Sequence, residues 1–180
     1  MRQSNMSFNV ALLFSLVFVV SIFSGCNADI EMTMSDPMTI TVDSNVTINQ
    51  LVKDGDYDWA DYDINDYSFD VDQPHDCDIV LVNFNKDVSF AVVLRALEEG
   101  DLRPATISEL LTLGVKYPDR QRNFLIFAFG SSRHLEHRAT RPGGMQVGCL
   151  ASVLGERHVC LLPRQNIEYT DKCRFAAVRK

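Results

Sequence analysis

Apolar and polar positions recur along this chain with two different periods, and each change of period marks an element. Met38-Thr39-Ile40-Thr41-Val42 alternates residue by residue, the pattern of a strand with one buried face. Ser44 predicts an N-cap for a helix over 46–53, with Ile48, Leu51 and Val52 on one face and Gly55 as its stop. Ile79 to Phe84 is rich in β-branched residues and predicts a strand. Ser89 then caps a helix over 90–99, because Phe90, Val93, Leu94 and Leu97 fall on one helical face and Gly100 follows as a stop. Leu102-Arg103-Pro104 reads as a short extended link. Thr106 and Glu109 form a capping box, in which hydroxyl and carboxylate satisfy the first free amides reciprocally. The helix they open passes through Leu110, Leu111 and Leu113 and stops at Tyr117-Pro118.

Phe124 to Phe129 is the most apolar stretch beyond the N-terminal run and predicts a central strand that Gly130 ends. Arg141-Pro142-Gly143-Gly144 is a turn, and strands follow over 145–150, 158–162 and 173–178. Strands and helices mixed early, then consecutive strands, predict an α+β domain with a mixed or antiparallel sheet and two or three helices. Between the first helix and the second long strand, Asp54 to Asp78 interleaves aspartates with Tyr57, Trp59, Tyr62, Tyr67 and Phe69. Asp54, Asp56 and Asp58 imitate the opening of a calcium loop, but the glycine such a loop needs is missing after Asp58. Asn65 also stands where its bidentate glutamate belongs. An acidic surface loop anchored by aromatic side chains is the expectation.

The N-terminus has a different character. Arg2 precedes an apolar run from Val10 to Phe23, shorter than the roughly 20 residues of a spanning helix. Residues 1–25 read as a signal peptide. Ser24-Gly25-Cys26 resembles the lipobox of bacterial lipoproteins, with Phe23 where leucine is usual, which makes Cys26 the lipidation site and the membrane contact. Residues 26–43 are then a lipidated N-terminus and tether, and residues 44–180 the domain. Cys26-Asn27-Ala28 also permits ordinary cleavage before Asp29, and a retained anchor is the third option. All three place the domain outside the cytoplasm.

Composition adds two points. Of five cysteines, Cys26 belongs to the leader. Cys77, Cys149, Cys160 and Cys173 remain, with three possible pairings and no basis in sequence for choosing among them. Buried free thiols are the alternative for Cys149 and Cys160, which sit in apolar surroundings. The net charge of −7 conceals a division: residues 26–102 carry 18 acidic and 3 basic side chains, residues 103–180 carry 6 and 13. The arginines are dispersed, which argues against nucleic acid as a partner.

Several segments carry a family resemblance. Leu102 to Leu111 resembles the "R-L-P-T-x-x-E-L" segment of bacterial domains with the C-type-lectin-like fold, and Cys173 to Lys180 resembles their terminal strand. From about Ile48 onward the chain is similar to uncharacterised exported proteins of candidate-phylum bacteria. The shared motifs are "G-x-Y-D-W" (Gly55 to Trp59), "L-R-P-A-T" (Leu102 to Thr106), "K-Y-P-D-x-Q-R" (Lys116 to Arg122) and "R-F-x-A-V-R-K" (Arg174 to Lys180). The resemblance implies a single C-type-lectin-like domain whose strand at Phe175 pairs beside an N-terminal strand. Some lectin-like proteins of this sort are the variable proteins of diversity-generating retroelements, which randomise codons to vary a binding surface. The stretch between Gly130 and Arg174 corresponds to the divergent part, with Ser132-Arg133 where a valine-tryptophan pair is usual.

Candidate chemistry is sparse. His134 and His137, with His158 and Cys160, supply the ligand types of a tetrahedral zinc site, but their spacing matches no zinc module, and solvated histidines with a core thiol are the simpler expectation. Ser131 and Ser132 lack the strand-turn-helix elbow of a hydrolase nucleophile. No cofactor is expected. His158, Arg164, Gln165, Asn166, Glu168, Tyr169 and Asp171 crowd before the last strand, a mixture suited to adaptable recognition. The leading expectation is therefore a surface-displayed lipoprotein that binds an extracellular protein or glycan ligand through its C-terminal loops, without catalysis. The alternatives are an exported metal-dependent enzyme using His134, His137 and His158, and a structural envelope protein without a diffusible ligand.

Overall fold

The strand furthest along the chain lies in the middle of the sheet. A computed structural model describes residues 31–135, 144–165 and 168–180. Its strands are β1 (Met32–Met34), β2 (Met38–Val42), β3 (Trp59–Ala60), β4 (His75–Phe84), β5 (Val88–Ser89) and β6 (Leu102–Pro104). They continue with β7 (Leu125–Leu135), β8 (Gly144–Val153), β9 (Glu156–Pro163), β10 (Glu168–Tyr169) and β11 (Cys173–Arg179). The helices are α1 (Ile48–Asp54), α2 (Phe90–Glu99) and α3 (Ile107–Lys116), with a short 3-10 turn at Pro118–Arg122. The main sheet runs β1-β4-β11-β7-β8-β9-β3, with β2 also on β4 and β6 also on β11; β5 and β10 form a separate pair. β11 is antiparallel to β4 and parallel to β7. The domain is thus α+β with a mixed sheet.

Both faces of the sheet are covered, which is why its inner strands read as continuous apolar runs. Ile79, Leu81, Ala176 and Val178 face a core shared with α1 and α3. Val80, Val82, Phe84, Phe175 and Ala177 face a second core shared with α2. The strand over 38–42 and the helix over 90–99 form as their periodicity predicts, and the Thr106–Glu109 capping box is present.

Other expectations need correction. α1 begins at Ile48 with Thr47 as its cap. Ser44 does not cap it, because Asp43 already holds the amides of Asn45 (2.9 Å) and Val46 (3.1 Å) in a turn. Ser89 does stand at the N-cap position of α2, at the end of β5, but its side chain makes no capping hydrogen bond. Gly130 does not end β7. It sits in a bulge between Ala128 and Ser132, where a Cβ would lie 2.7 Å from the carbonyl oxygens of Pro104 and Ala105. β1 and β2 both pair with β4, so the folded part reaches back to Met32, into the span expected as tether. The strands adjoining β11 are β4 on one side and β7 and β6 on the other, and β1 and β2 lie beyond β4. The acidic segment is only partly a surface loop: Phe69, Ile64, Asp61 and Asp63 are buried, while Trp59, Tyr62 and Tyr67 are exposed. The turn over 141–143 and the leader with Cys26 lie outside the described residues.

One buried arginine ties the helical layer to the sheet. Arg157, on β9, donates from Nη1 to the Gly55 carbonyl (2.5 Å) and from Nη2 to the Gly114 carbonyl (2.8 Å) and Gln121 Oε1 (3.2 Å). Those carbonyls lie at the C-terminal ends of α1 and α3, where the helix dipoles favour positive charge. Its guanidinium lies 4.9 Å from the centre of the Tyr57 ring. A Cβ on Gly55 or Gly114 would stand 2.2 or 2.0 Å from Tyr57, so both positions need glycine for space. Gln121 in turn donates to the carbonyls of Ala151 (2.7 Å) and His158 (3.1 Å). Asp58 accepts the Arg157 amide at 2.7 Å.

Arg157→Met should lower stability by about 3 kcal/mol, since it leaves buried carbonyls without donors. Arg157→Lys should recover less than half of this, because an ammonium does not span two helix ends. The urea midpoint at unchanged m-value reads both effects.

Candidate functional site

The most concentrated chemistry lies at the start of α3. The capping box turns the Glu109 side chain back over the helix N-terminus, where Oε2 accepts the Thr106 amide at 2.8 Å. β6 pairs with β11 and brings Arg103 alongside. Its guanidinium is bidentate on the same carboxylate, at 2.9 Å to Oε2 and 2.6 Å to Oε1. His75 and Cys77, two apart on β4 and therefore on one face, approach Oε1 at 2.8 and 3.6 Å. Behind them Asp72 accepts hydrogen bonds from Thr106 Oγ1 and from Ser108 Oγ, the latter at 2.6 Å. Glu109 is fully buried. The cluster opens onto a depression whose rim carries Asp76, Asp78 and Arg179.

Electrostatics fix the protonation states. Burial pushes the Glu109 carboxyl up, but Arg103, the Thr106 amide and His75 outweigh it and hold the group at about 2. His75 is pushed up, first by the Gln73 carbonyl on Nδ1 (2.7 Å) and then by Glu109 on Nε2. Both ring nitrogens face acceptors, the arrangement of an imidazolium. Burial, reinforced by Glu109, pushes the Cys77 thiol up to about 12. Cys77 is thus a protonated donor with little nucleophilic character, and Glu109 is a weak base.

His75, Cys77 and Glu109 also form the one trio of metal-ligand side chains among the described residues, with ligating atoms within 4.8 Å of one another. A divalent cation there would stand beside the Arg103 guanidinium and compete with it for the same oxygen. As built, the cluster is an ion-pair knot.

The residues predicted from sequence are distributed differently. Arg164 packs over the Phe90 ring at 5.0 Å and donates to Ser132 Oγ at 3.4 Å. Gln165, Glu168 and Asp171 are exposed around it. Tyr169 is corrected from a ligand contact to a core residue. Its ring lies 5.0, 5.3 and 5.5 Å from those of Phe127, Phe129 and Phe175, and its hydroxyl donates to the Arg164 carbonyl at 3.2 Å. His158 belongs to another place. Its ring lies 5.6 Å from that of Trp59, tilted by 36°, about 20 Å along the chain from Arg164 at the strand rise of ~3.3 Å.

The described members of the rival zinc set do not converge. His134 lies opposite Met145 and His158 opposite Ala151, at distant points of β8, and Cys160 faces Cys149. Asn166 and His137 lie outside the described residues. The three aspartates that open the imitation calcium loop serve separate tasks: Asp54 accepts from Gln50 (2.5 Å), Asp58 from the Arg157 amide, and Asp56 takes a left-handed φ of 46° after α1.

Sequence reasoning found Glu109 as a cap but missed its partners. Arg103 and His75 reach it only through the pairing of β4, β6 and β11, which leaves no local trace. Among the described residues no helix is long and apolar enough to cross a membrane. No protein-family model matches the chain, and neither a curated protein nor a solved structure is found similar to it.

The knot sets a pH profile. Glu109 is depressed, so its contribution is present above its ordinary value of 4.5 and is lost as pH falls toward 2. His75 is raised, so its contribution is complete below 6.5 and is lost as pH climbs through its higher folded value. Glu109→Gln should therefore cost about 3 kcal/mol at pH 6 and remove the acid limb. Urea titrations at stepped pH measure both, and an unchanged acid limb in the variant would contradict the assignment.

Proposed function

We propose that this chain is a non-catalytic domain, displayed outside the cytoplasm on a lipidated Cys26, that binds an extracellular protein or glycan through the segment between Pro163 and Cys173. The observation that carries this reading is the platform under the segment. Tyr169 is buried among Phe127, Phe129 and Phe175 while Gln165, Glu168 and Asp171 are exposed. The β5–β10 pair ties the same segment to the start of α2. Polar groups held on a rigid aromatic base suit recognition, because little ordering entropy is lost on binding.

The quenched chemistry of the Glu109 knot supports binding over catalysis, since its thiol is protonated and its carboxylate is a weak base. The separation of His134 from His158 weighs against a metal-dependent enzyme. The motifs that carry the family resemblance supply the scaffold: Gly55, Tyr57, Asp58 and Gln121 surround Arg157, and Arg103 and Thr106 surround Glu109. The lectin-like architecture belongs to the same proposal. β11 antiparallel to β4 favours it, and the position of β1 and β2 beyond β4 weighs against it.

Probing arrays of bacterial-surface glycans and extracellular proteins with the chain should reveal one bound class. Its binding should weaken at least tenfold on joint Gln165→Ala and Glu168→Ala substitution and stay unchanged on Asp119→Ala, which lies in the 3-10 turn. Binding indifferent to the first pair would remove the segment from the site. Mass spectrometry of the mature N-terminus should find an acylated Cys26, and an N-terminus at Asp29 would replace display with free secretion.

A further inference from the structure

The four described cysteines divide between the faces of the sheet. Cys77 packs with the α1/α3 layer, whereas Cys149, Cys160 and Cys173 pack with the α2 layer, so Cys77 reaches none of the others. β7 separates Cys173 on β11 from Cys149 on β8. Two strand spacings amount to roughly 10 Å, beyond the ~7 Å that a disulfide spans between Cα atoms. Cys149 and Cys160 are different: they stand directly opposite each other in the β8–β9 ladder. Opposite residues share a face with Cβ atoms ~5 Å apart, and Cys160 Sγ lies 3.6 Å from the Cys149 carbonyl oxygen. We propose that Cys149 and Cys160 form a reversible cross-strand disulfide, the one intramolecular bridge that this arrangement of the four permits.

The two thiols have unequal roles. Cys149 is fully buried and Cys160 is half-buried, so an incoming reagent meets Cys160. Contact with Cys149 lowers the Cys160 thiol pKa, while burial raises that of Cys149. Cys160 as thiolate attacks a donor disulfide, RSSR, forming a Cys160–S–S–R bond and releasing one RS⁻. Cys149 yields its proton to that thiolate and attacks Cys160 Sγ, releasing the second RS⁻, which takes up the proton lost by Cys160. Two electrons and two protons pass to the donor, which leaves as two RSH.

The hairpin also sets how the bridge behaves. Leu154 (φ 53°) and Gly155 (φ 90°) form its two-residue turn, closed by Val153 and Glu156. Alternating outward from that closing pair, Cys149 and Cys160 occupy a hydrogen-bonded position. Opposing Cβ atoms there stand wider than in a relaxed bridge. The bond therefore forms under tension and exchanges readily with an external dithiol. This inference goes beyond the binding reading and does not rest on it, because purified protein is oxidised the same way wherever the chain resides.

The test uses the full chain, equilibrated with oxidised glutathione, unfolded, blocked with N-ethylmaleimide and measured by intact mass, then digested with trypsin. Cleavage after Arg157 places the two cysteines on separate peptides. The oxidised protein should carry two fewer maleimide adducts than the reduced one and yield a linked peptide pair holding Cys149 and Cys160. Dithiothreitol added to the folded protein should restore both adducts. Cys149→Ser should stop at a glutathione adduct on Cys160, and Cys160→Ser should leave Cys149 unmodified. Should either variant fail to fold, the wild-type measurement decides alone. Retention of every adduct by the wild-type chain, or a bridge made by any other pair, overturns the proposal.

Discussion

The fold depends on how a single buried positive charge is accommodated. Arg157 has left water, and a guanidinium in a protein interior is costly unless its donors are met. Here Nη1 and Nη2 are met by carbonyls at the C-terminal ends of α1 and α3 and by the Gln121 carboxamide, while Nε is left without a partner under the Tyr57 ring. Those carbonyls have no partner within their own helices. One side chain on β9 thus satisfies two helix ends and fixes both helices against the sheet. Tyr57 fits between Gly55 and Gly114 only because neither carries a Cβ, and its ring covers the guanidinium.

The Glu109 knot solves the matching problem at the opposite end of α3. A buried carboxylate meets Arg103, His75, the Thr106 amide and the Cys77 thiol. Negative charge lies at the N-terminus of α3 and positive charge at its C-terminus, both in agreement with the helix dipole. The two centres together set the axial position of the helix. They also give the motif residues Gly55, Tyr57, Arg103 and Gln121 a part in the architecture.

What sequence could reveal tracks the range of the interactions. The alternation over 38–42, the apolar face of 90–99 and the capping box are local patterns, and each formed where its spacing placed it. The segment before Cys173 was legible as polar, yet Tyr169 looked like a ligand contact because its burial is created by Phe127 and Phe175, far away in the chain. Gly130 looked like a stop because the close approach of Pro104 and Ala105 that demands it is a tertiary event. His75 and Arg157 carried no local signal at all. Ser44 read as the cap of the first helix, and the turn held by Asp43 moves that role to Thr47.

The placement of β11 has a consequence for how the molecule is made. β4 with β1 and β2 forms one group of strands and β7 with β8, β9 and β3 another, and β11 alone joins the two through backbone hydrogen bonds. It is also downstream of every other strand. During vectorial synthesis the two groups must therefore wait, each with an unpaired apolar edge, until β11 arrives to pair Phe175 with Val82 on one side and Phe127 on the other. During that interval the chain depends on whatever keeps exposed strand edges from finding each other.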